Sequence, residues 1–250
     1  MLTLEGLAVR QAGWELRADL SVAAGARVAV MGPSGAGKST LLAAIGGFAA
    51  LAAGRILWAG ARIDGLTPAA RPVATIFQDN NLFPHLTAFD NVGLGLAPNR
   101  RLRPPERDRV AEMLARVGLE GFEGRKPGAL SGGQQSRVAL ARAVLQERPV
   151  ILLDEPFAAL GPALKAEMVG LVRDLAGAAG RTVLMVTHDP GDARALEGRT
   201  IPVIAGRAGE PVETAALLSD PPPALAAYLG QVEARGESDY LQPRPGQERT

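Results

Sequence analysis

The sequence predicts an α/β fold built on a mostly parallel sheet, and three observations carry that prediction. Continuous apolar runs recur at Arg27-Val28-Ala29-Val30-Met31, Val150-Ile151-Leu152-Leu153 and Thr182-Val183-Leu184-Met185-Val186, as expected of strands buried on both faces. Stretches of helical character separate them, and strands alternating with helices imply parallel pairing. The first run leads straight into Gly32-Pro33-Ser34-Gly35-Ala36-Gly37-Lys38-Ser39-Thr40, which fits the phosphate-loop pattern G-x-x-x-x-G-K-S/T.

In chain order, Leu2-Thr3-Leu4 and Leu20-Ser21-Val22 alternate and read as strands, an N-terminal β subdomain ahead of the phosphate loop. The loop opens a helix through Leu41-Leu42-Ala43-Ala44-Ile45, ending near Gly46-Gly47. Arg55-Ile56-Leu57-Trp58 and Arg62-Ile63 read as strands about an Ala59-Gly60 turn, and Val73-Ala74-Thr75-Ile76-Phe77 as a strand that stops at Gln78. From Ala88 to Val117 the pattern is helical, interrupted by Pro98 and by Pro104-Pro105. A further helix over Val138 to Leu145 is closed by Pro149. Pro221-Pro222-Pro223 breaks the chain before a short helix, Ala224 to Leu229. We expect one domain over 1–232, with a helical subdomain over about 79–146. From 233 to 250 the chain is polar with Pro and Gly, and disorder is expected.

Composition narrows the functional classes. A chain of 250 residues with 47% hydrophobic and 21% charged residues is globular. A net charge of +1 gives no support for a nucleic-acid surface. There is no cysteine, hence no disulfide framework, thiol chemistry or cysteine metal site. The N-terminus lacks the basic and apolar regions of a signal peptide. The longest apolar stretch, Leu41 to Gly54, falls short of the about 20 residues that a spanning helix needs, so membrane association is expected to require a partner chain.

The chemistry begins at the phosphate loop. Its glycines let backbone N–H groups point inward, and the helix N-terminus adds positive potential where phosphates sit. Lys38 is placed to reach β- and γ-phosphates, and the Ser39 hydroxyl to hold Mg²⁺. Leu152-Leu153-Asp154-Glu155-Pro156 puts two carboxylates at the C-terminal end of a buried strand, the edge where open parallel sheets bind ligands. Asp154 is the candidate second metal partner, and Glu155 the candidate for polarising water. A small-molecule kinase would carry these two motifs as well.

Further motifs narrow the choice. Leu130-Ser131-Gly132-Gly133-Gln134-Gln135-Ser136-Arg137 opens a helix at a Ser-Gly-Gly turn, a second place for an anion, with Ser131 a good helix cap. The segment resembles the signature motif of ATP-binding cassette (ABC) ATPases, and its position shortly before the Asp154-Glu155 strand matches. Gln78, after an apolar strand, resembles that family's Q-loop. His188 in Val186-Thr187-His188-Asp189 resembles its switch histidine. The set comes in the family's order and covers about Leu2 to Gly230.

The resemblance implies a P-loop ABC ATPase core that uses ATP and Mg²⁺. Two copies would pair head to tail, each site combining the phosphate loop of one with Ser131-Gly132-Gly133-Gln134 of the other. Glu155 would orient water, His188 would steady the γ-phosphate, and Gln78 would sense metal and nucleotide for a partner. Ser39, Gln78 and Asp154 form the implied metal set. Two features depart from the pattern. The family's Ser-Ala-Leu-Asp turn reads Ala158-Ala159-Leu160-Gly161 here, so an acid is missing. Trp14, the only Trp or Tyr in the first strands, stands at a short spacing from Gly32, as an adenine stacker or as a hairpin packing residue.

Gln78-Asp79-Asn80-Asn81-Leu82-Phe83-Pro84-His85-Leu86-Thr87, followed by Asp90-Asn91-Val92, resembles bacterial importer ATPases, and Asn80 to Thr87 with Asn91-Val92-Gly93-Leu94-Gly95-Leu96 is most similar to those of thiamine importers. This implies separate transmembrane permease subunits, a periplasmic substrate-binding protein acting indirectly, and a peripheral place on the cytoplasmic face of the inner membrane. Importers of polyamines, ferric iron, sulfate or molybdate remain alternatives, with a soluble non-transport ABC ATPase behind them.

Overall fold

The computed structural model describes residues 1–11, 13–99 and 101–230. The expected 233–250 tail lies outside the described residues. Among the described residues, eleven strands form one sheet: β1 (Leu2–Gln11), β2 (Trp14–Val22), β3 (Arg27–Met31), β4 (Ala53–Trp58), β5 (Ala61–Arg62), β6 (Val73–Ile76), β7 (Val150–Asp154), β8 (Thr182–Val186), β9 (Arg199–Ile204), β10 (Arg207–Ala208) and β11 (Val212–Glu213). Their order is β5-β4-β1-β2-β10-β9-β3-β8-β7-β6, with β11 on β9. From β9 to β6 every neighbour is parallel. The strands β5, β4, β1 and β2 pair antiparallel. The parallel block and the N-terminal antiparallel part thus stand where the sequence places them, joined through β10, which pairs parallel with β2 and antiparallel with β9.

The apolar runs have their physical reason in two cores. Val28, Val30, Val150, Leu152, Leu184 and Val186 pack on one side with helix α1 (Lys38–Gly46) and the β1–β2 hairpin. Ala29, Met31, Ile151, Leu153, Val183 and Met185 pack on the other side with the remaining helices. Period-2 alternation sends each strand into both cores, so the interior positions of these strands are apolar on both faces.

The helices on that second side are α2 (Ala88–Gly93), α3 (Pro104–Arg116), α4 (Gly132–Leu145), α5 (Pro162–Ala178), α6 (Pro190–Ala195) and α7 (Thr214–Ser219). Residues 223–230 are helical as well. Pro104 and Pro105 open α3 rather than interrupt it, because a proline in the first turn lacks only an N–H that would have no partner there. The helix expected over Val138 to Leu145 starts earlier, at Gly132, and does end at Leu145. There the Arg181 guanidinium donates to the Val144 carbonyl, and Glu147 turns left-handed at φ 53°. No described helix is long and apolar enough to cross a membrane.

Candidate functional site

The phosphate loop is shaped by what its glycines must avoid. A Cβ on Gly32, at φ 156°, would stand 1.9 Å from the Val203 carbonyl oxygen on β9. A Cβ on Gly37, at φ 107°, would stand 2.5 Å from the Trp14 ring. Only glycine fits either position. Helix α1 then starts at Lys38 with no side-chain cap and no acid in its first turn, which leaves its first N–H groups for a ligand. Its other end is closed by Arg71, which donates to the carbonyls of Ala44 at 2.7 Å and Ile45 at 2.8 Å.

Lys38 is buried and folds back on its own loop. Its Nζ donates to the carbonyls of Gly32 at 2.8 Å and Pro33 at 3.0 Å. Burial pulls its pKa down, against the opposing pull of Glu155 and Asp154. Ser39 Oγ donates to Asp154 Oδ1 at 2.9 Å. Burial pushes the Asp154 carboxyl up, and the neighbouring Glu155 adds to this, while the Ser39 hydrogen bond and Lys38 oppose it. A hydroxyl and a carboxylate sharing one contact at the phosphate loop form an oxygen donor set suited to a hard cation.

Glu155 leaves β7 in a left-handed conformation, φ 46°, strain of the kind that collects at functional sites. Its Oε2 lies 3.8 Å from His188 Nδ1. His188 stands two residues past the end of β8, so adjacent parallel strands deliver both groups to one sheet edge. Gln78 follows β6 and is exposed. It lines an open depression with Phe77, Asp79, Asn81 and Asp154.

Ser131, Gly132, Gly133 and Gln134 stand apart from this cluster. Ser131 and Gln134 form a reciprocal capping box at the start of α4: Ser131 Oγ accepts from the Gln134 N–H at 3.3 Å, and Gln134 Oε1 from the Ser131 N–H at 2.9 Å. Ser131 and Gly132 are exposed. A Cβ on Gly133 would stand 2.4 Å from Leu164 Cδ2 of α5. Gly161 is the N-cap of α5, with no side-chain hydrogen bond and open space at its Cβ. Trp14 starts β2 with its ring against Gly37, so it is at once a hairpin residue and a wall of the phosphate loop.

Three further side chains at or near the site are not legible from motifs. Lys165 of α5 reaches the residues after His188, and Tyr228 Oη donates to the His188 carbonyl at 3.2 Å. Arg142 of α4 donates to the carbonyls of Asn80 at 2.9 Å and Asn81 at 2.8 Å, just past Gln78. Their only signal in the sequence is a charge or hydroxyl inside otherwise apolar stretches.

The class of protein that this fold and this cluster define is a P-loop ATPase of the ABC type. The family model described as ABC transporter matches residues 16–158, and the chain belongs to that family. It is 61% identical over 230 residues to the thiamine import ATP-binding protein ThiQ of Cereibacter sphaeroides, covering 92% of this chain and 100% of that one. It is 57% identical to the protein of the same name from Ruegeria sp. strain TM1040, with the same coverage. The Brucella suis protein of that name is 49% identical over 217 residues, covering 86% of this chain and 90% of that one. Among solved structures, a dimeric ATP-binding cassette in a post-hydrolysis state with ADP and Pi is similar, with a TM-score of 0.75 and 33% identity, over 86% of this chain and 99% of the other.

Proposed function

We propose that this chain is the ATP-hydrolysing subunit of a bacterial importer and that the imported compound is thiamine or a thiamine phosphate. The observation that supports the ATPase reading best is the Ser39–Asp154 hydrogen bond beside buried Lys38, with Glu155 and His188 at the same sheet edge. The choice of thiamine is supported by the similarity to the ThiQ proteins.

When ATP enters, Lys38 exchanges the carbonyls of Gly32 and Pro33 for β- and γ-phosphate oxygens. The backbone N–H groups of Ser34 to Thr40 cradle the phosphates. Ser39, Asp154 and Gln78 are the residues that would hold Mg²⁺, which supplies charge neutralisation to the phosphates when bound. Glu155 orients a water for attack on the γ-phosphorus. The bond to the bridging oxygen breaks, and ADP leaves with its electron pair. His188 hydrogen-bonds the transferring phosphate. The work is positioning and electrostatics.

Ser131, Gly132, Gly133 and Gln134 serve the ATP of a second copy in a head-to-tail dimer, a reading supported by the exposure of Ser131 and Gly132. The segment around Phe83, itself exposed, faces the permease subunits, which bring the chain to the cytoplasmic face of the membrane and link it indirectly to a substrate-binding protein. Residues 1–232 act as one domain, with 79–146 as its helical part.

Uptake of labelled thiamine by cells lacking the gene, complemented by wild type or by Glu155→Gln, tests this reading. Restoration by wild type alone supports it. Uptake that does not depend on the gene removes thiamine as the cargo, and the same strains are then tested with polyamines, iron, sulfate and molybdate.

A further inference from the structure

One cluster of charges beside the site takes no part in the mechanism above. Lys165 Nζ lies 3.1 Å from Asp189 Oδ2 and 2.9 Å from Asp192 Oδ2. Asp192 Oδ2 also accepts from the Thr187 hydroxyl at 2.5 Å, and the same hydroxyl accepts from the Asp189 N–H at 3.1 Å. Asp189 Oδ1 caps α6 by accepting from the Gly191 N–H at 2.7 Å. The residues immediately before and after His188 are therefore both tied into a network that ends on one ammonium group.

Nothing about α5 itself calls for Lys165. It stands in the helix's first turn, one hydrogen bond from Gly161, where the dipole disfavours a cation. Its side chain is only 12% exposed, a costly place for a charge unless it is paired. The chain has three lysines against 24 arginines. One of the three is Lys38, and Lys126 is exposed. A compact ammonium with three donors fits between two carboxylates where a planar fork does not fit as well. Glu155, Lys165, His188 and Asp192 also line one small cavity, so the network and the reacting groups share a wall.

We infer that Lys165 is a positioning residue for His188: from α5 it holds Asp189 and Asp192, and through them the backbone that aims the imidazole at the γ-phosphate. The inference rests on the role given to His188 above. It also gives the α5 start, which lacks an acid at Gly161, a route to the switch histidine within one subunit.

The test measures steady-state ATPase activity, binding of a fluorescent ATP analogue and thermal unfolding of the full-length chain. Lys165→Met is expected to lower kcat about five- to twentyfold, with analogue affinity within about twofold of wild type. Lys165→Arg, which keeps the charge but fits less well between the two carboxylates, is expected to recover only part of that loss. Asp189→Asn keeps the helix cap but weakens the ion pair; it is expected to lower kcat two- to fivefold with an unchanged melting temperature, and it carries the test if Lys165→Met does not fold. Wild-type kcat in folded Lys165→Met, or in Asp189→Asn, overturns the inference. His188→Ala separates the two readings. If it retains full turnover, the role of His188 fails. If it loses turnover while Lys165→Met does not, only the positioning role of Lys165 fails.

Discussion

Ser39 and Asp154 stand 115 residues apart in the chain and share a hydrogen bond of 2.9 Å. One closes the phosphate loop and the other ends β7. Their contact exists because α1 packs against the face of the sheet to which β7 contributes Val150 and Leu152. The fold thus brings the two oxygens together before any ligand arrives.

The burial of Asp154 at this contact has a stability consequence. Burial raises the Asp154 carboxyl above its ordinary value of 3.8, so the folded chain holds this proton more tightly than the unfolded chain does. As pH rises from about that unfolded value through the raised folded one, this group makes unfolding easier, and above that window its penalty is constant. Asp154→Asn is therefore expected to melt at a higher temperature than wild type at pH 7 without nucleotide, with the difference shrinking towards pH 3. Thermal melts across pH check it. The same variant is expected to lose turnover, the usual exchange of stability for function.

Gly32 has no tolerance for a side chain. Its added Cβ would meet the Val203 carbonyl at 1.9 Å, backbone against backbone, with β3 and β9 held in register. Gly32→Ala is expected to cost about 3 kcal/mol or more, read as a loss of soluble protein or a large drop in denaturation midpoint.

Gly161 is the opposite case. Its φ is −66°, it caps α5 without a side chain, and its Cβ direction is empty. Gly161→Asp is expected to stabilise the chain by about 0.5 kcal/mol through the cap and the helix dipole. A urea denaturation series measures this.

Trp14 reports on the phosphate loop. Its ring lies against Gly37, whereas Trp58, the only other tryptophan, ends β4. Trp14→Phe is expected to abolish most of the change in tryptophan fluorescence on ATP binding, while Trp58→Phe is expected to leave it.

The sequence was most legible where one local rule decided the outcome. The runs Val28–Met31, Val150–Leu153 and Val183–Val186 read as strands buried on both faces, and Gly32 to Gly37 as a loop before α1. The short strands β10 and β11 and the helix α6 had no comparable signal, since two to six residues carry too little periodicity and depend on what they pack against. The same limit hid Lys165, Arg142 and Tyr228. Each acts on backbone or side chains far away in sequence, and one-dimensional spacing does not encode such contacts. The Gly161 departure was visible in the sequence, but its status as an uncapped helix start was not.

The central claim is that Glu155 serves turnover rather than nucleotide binding. ATP binding and single-turnover hydrolysis measured side by side for wild type and Glu155→Gln test it most directly. The account predicts unchanged ATP affinity, a stable ATP-bound dimer and hydrolysis slowed at least about 100-fold. Hydrolysis at the wild-type rate would contradict it.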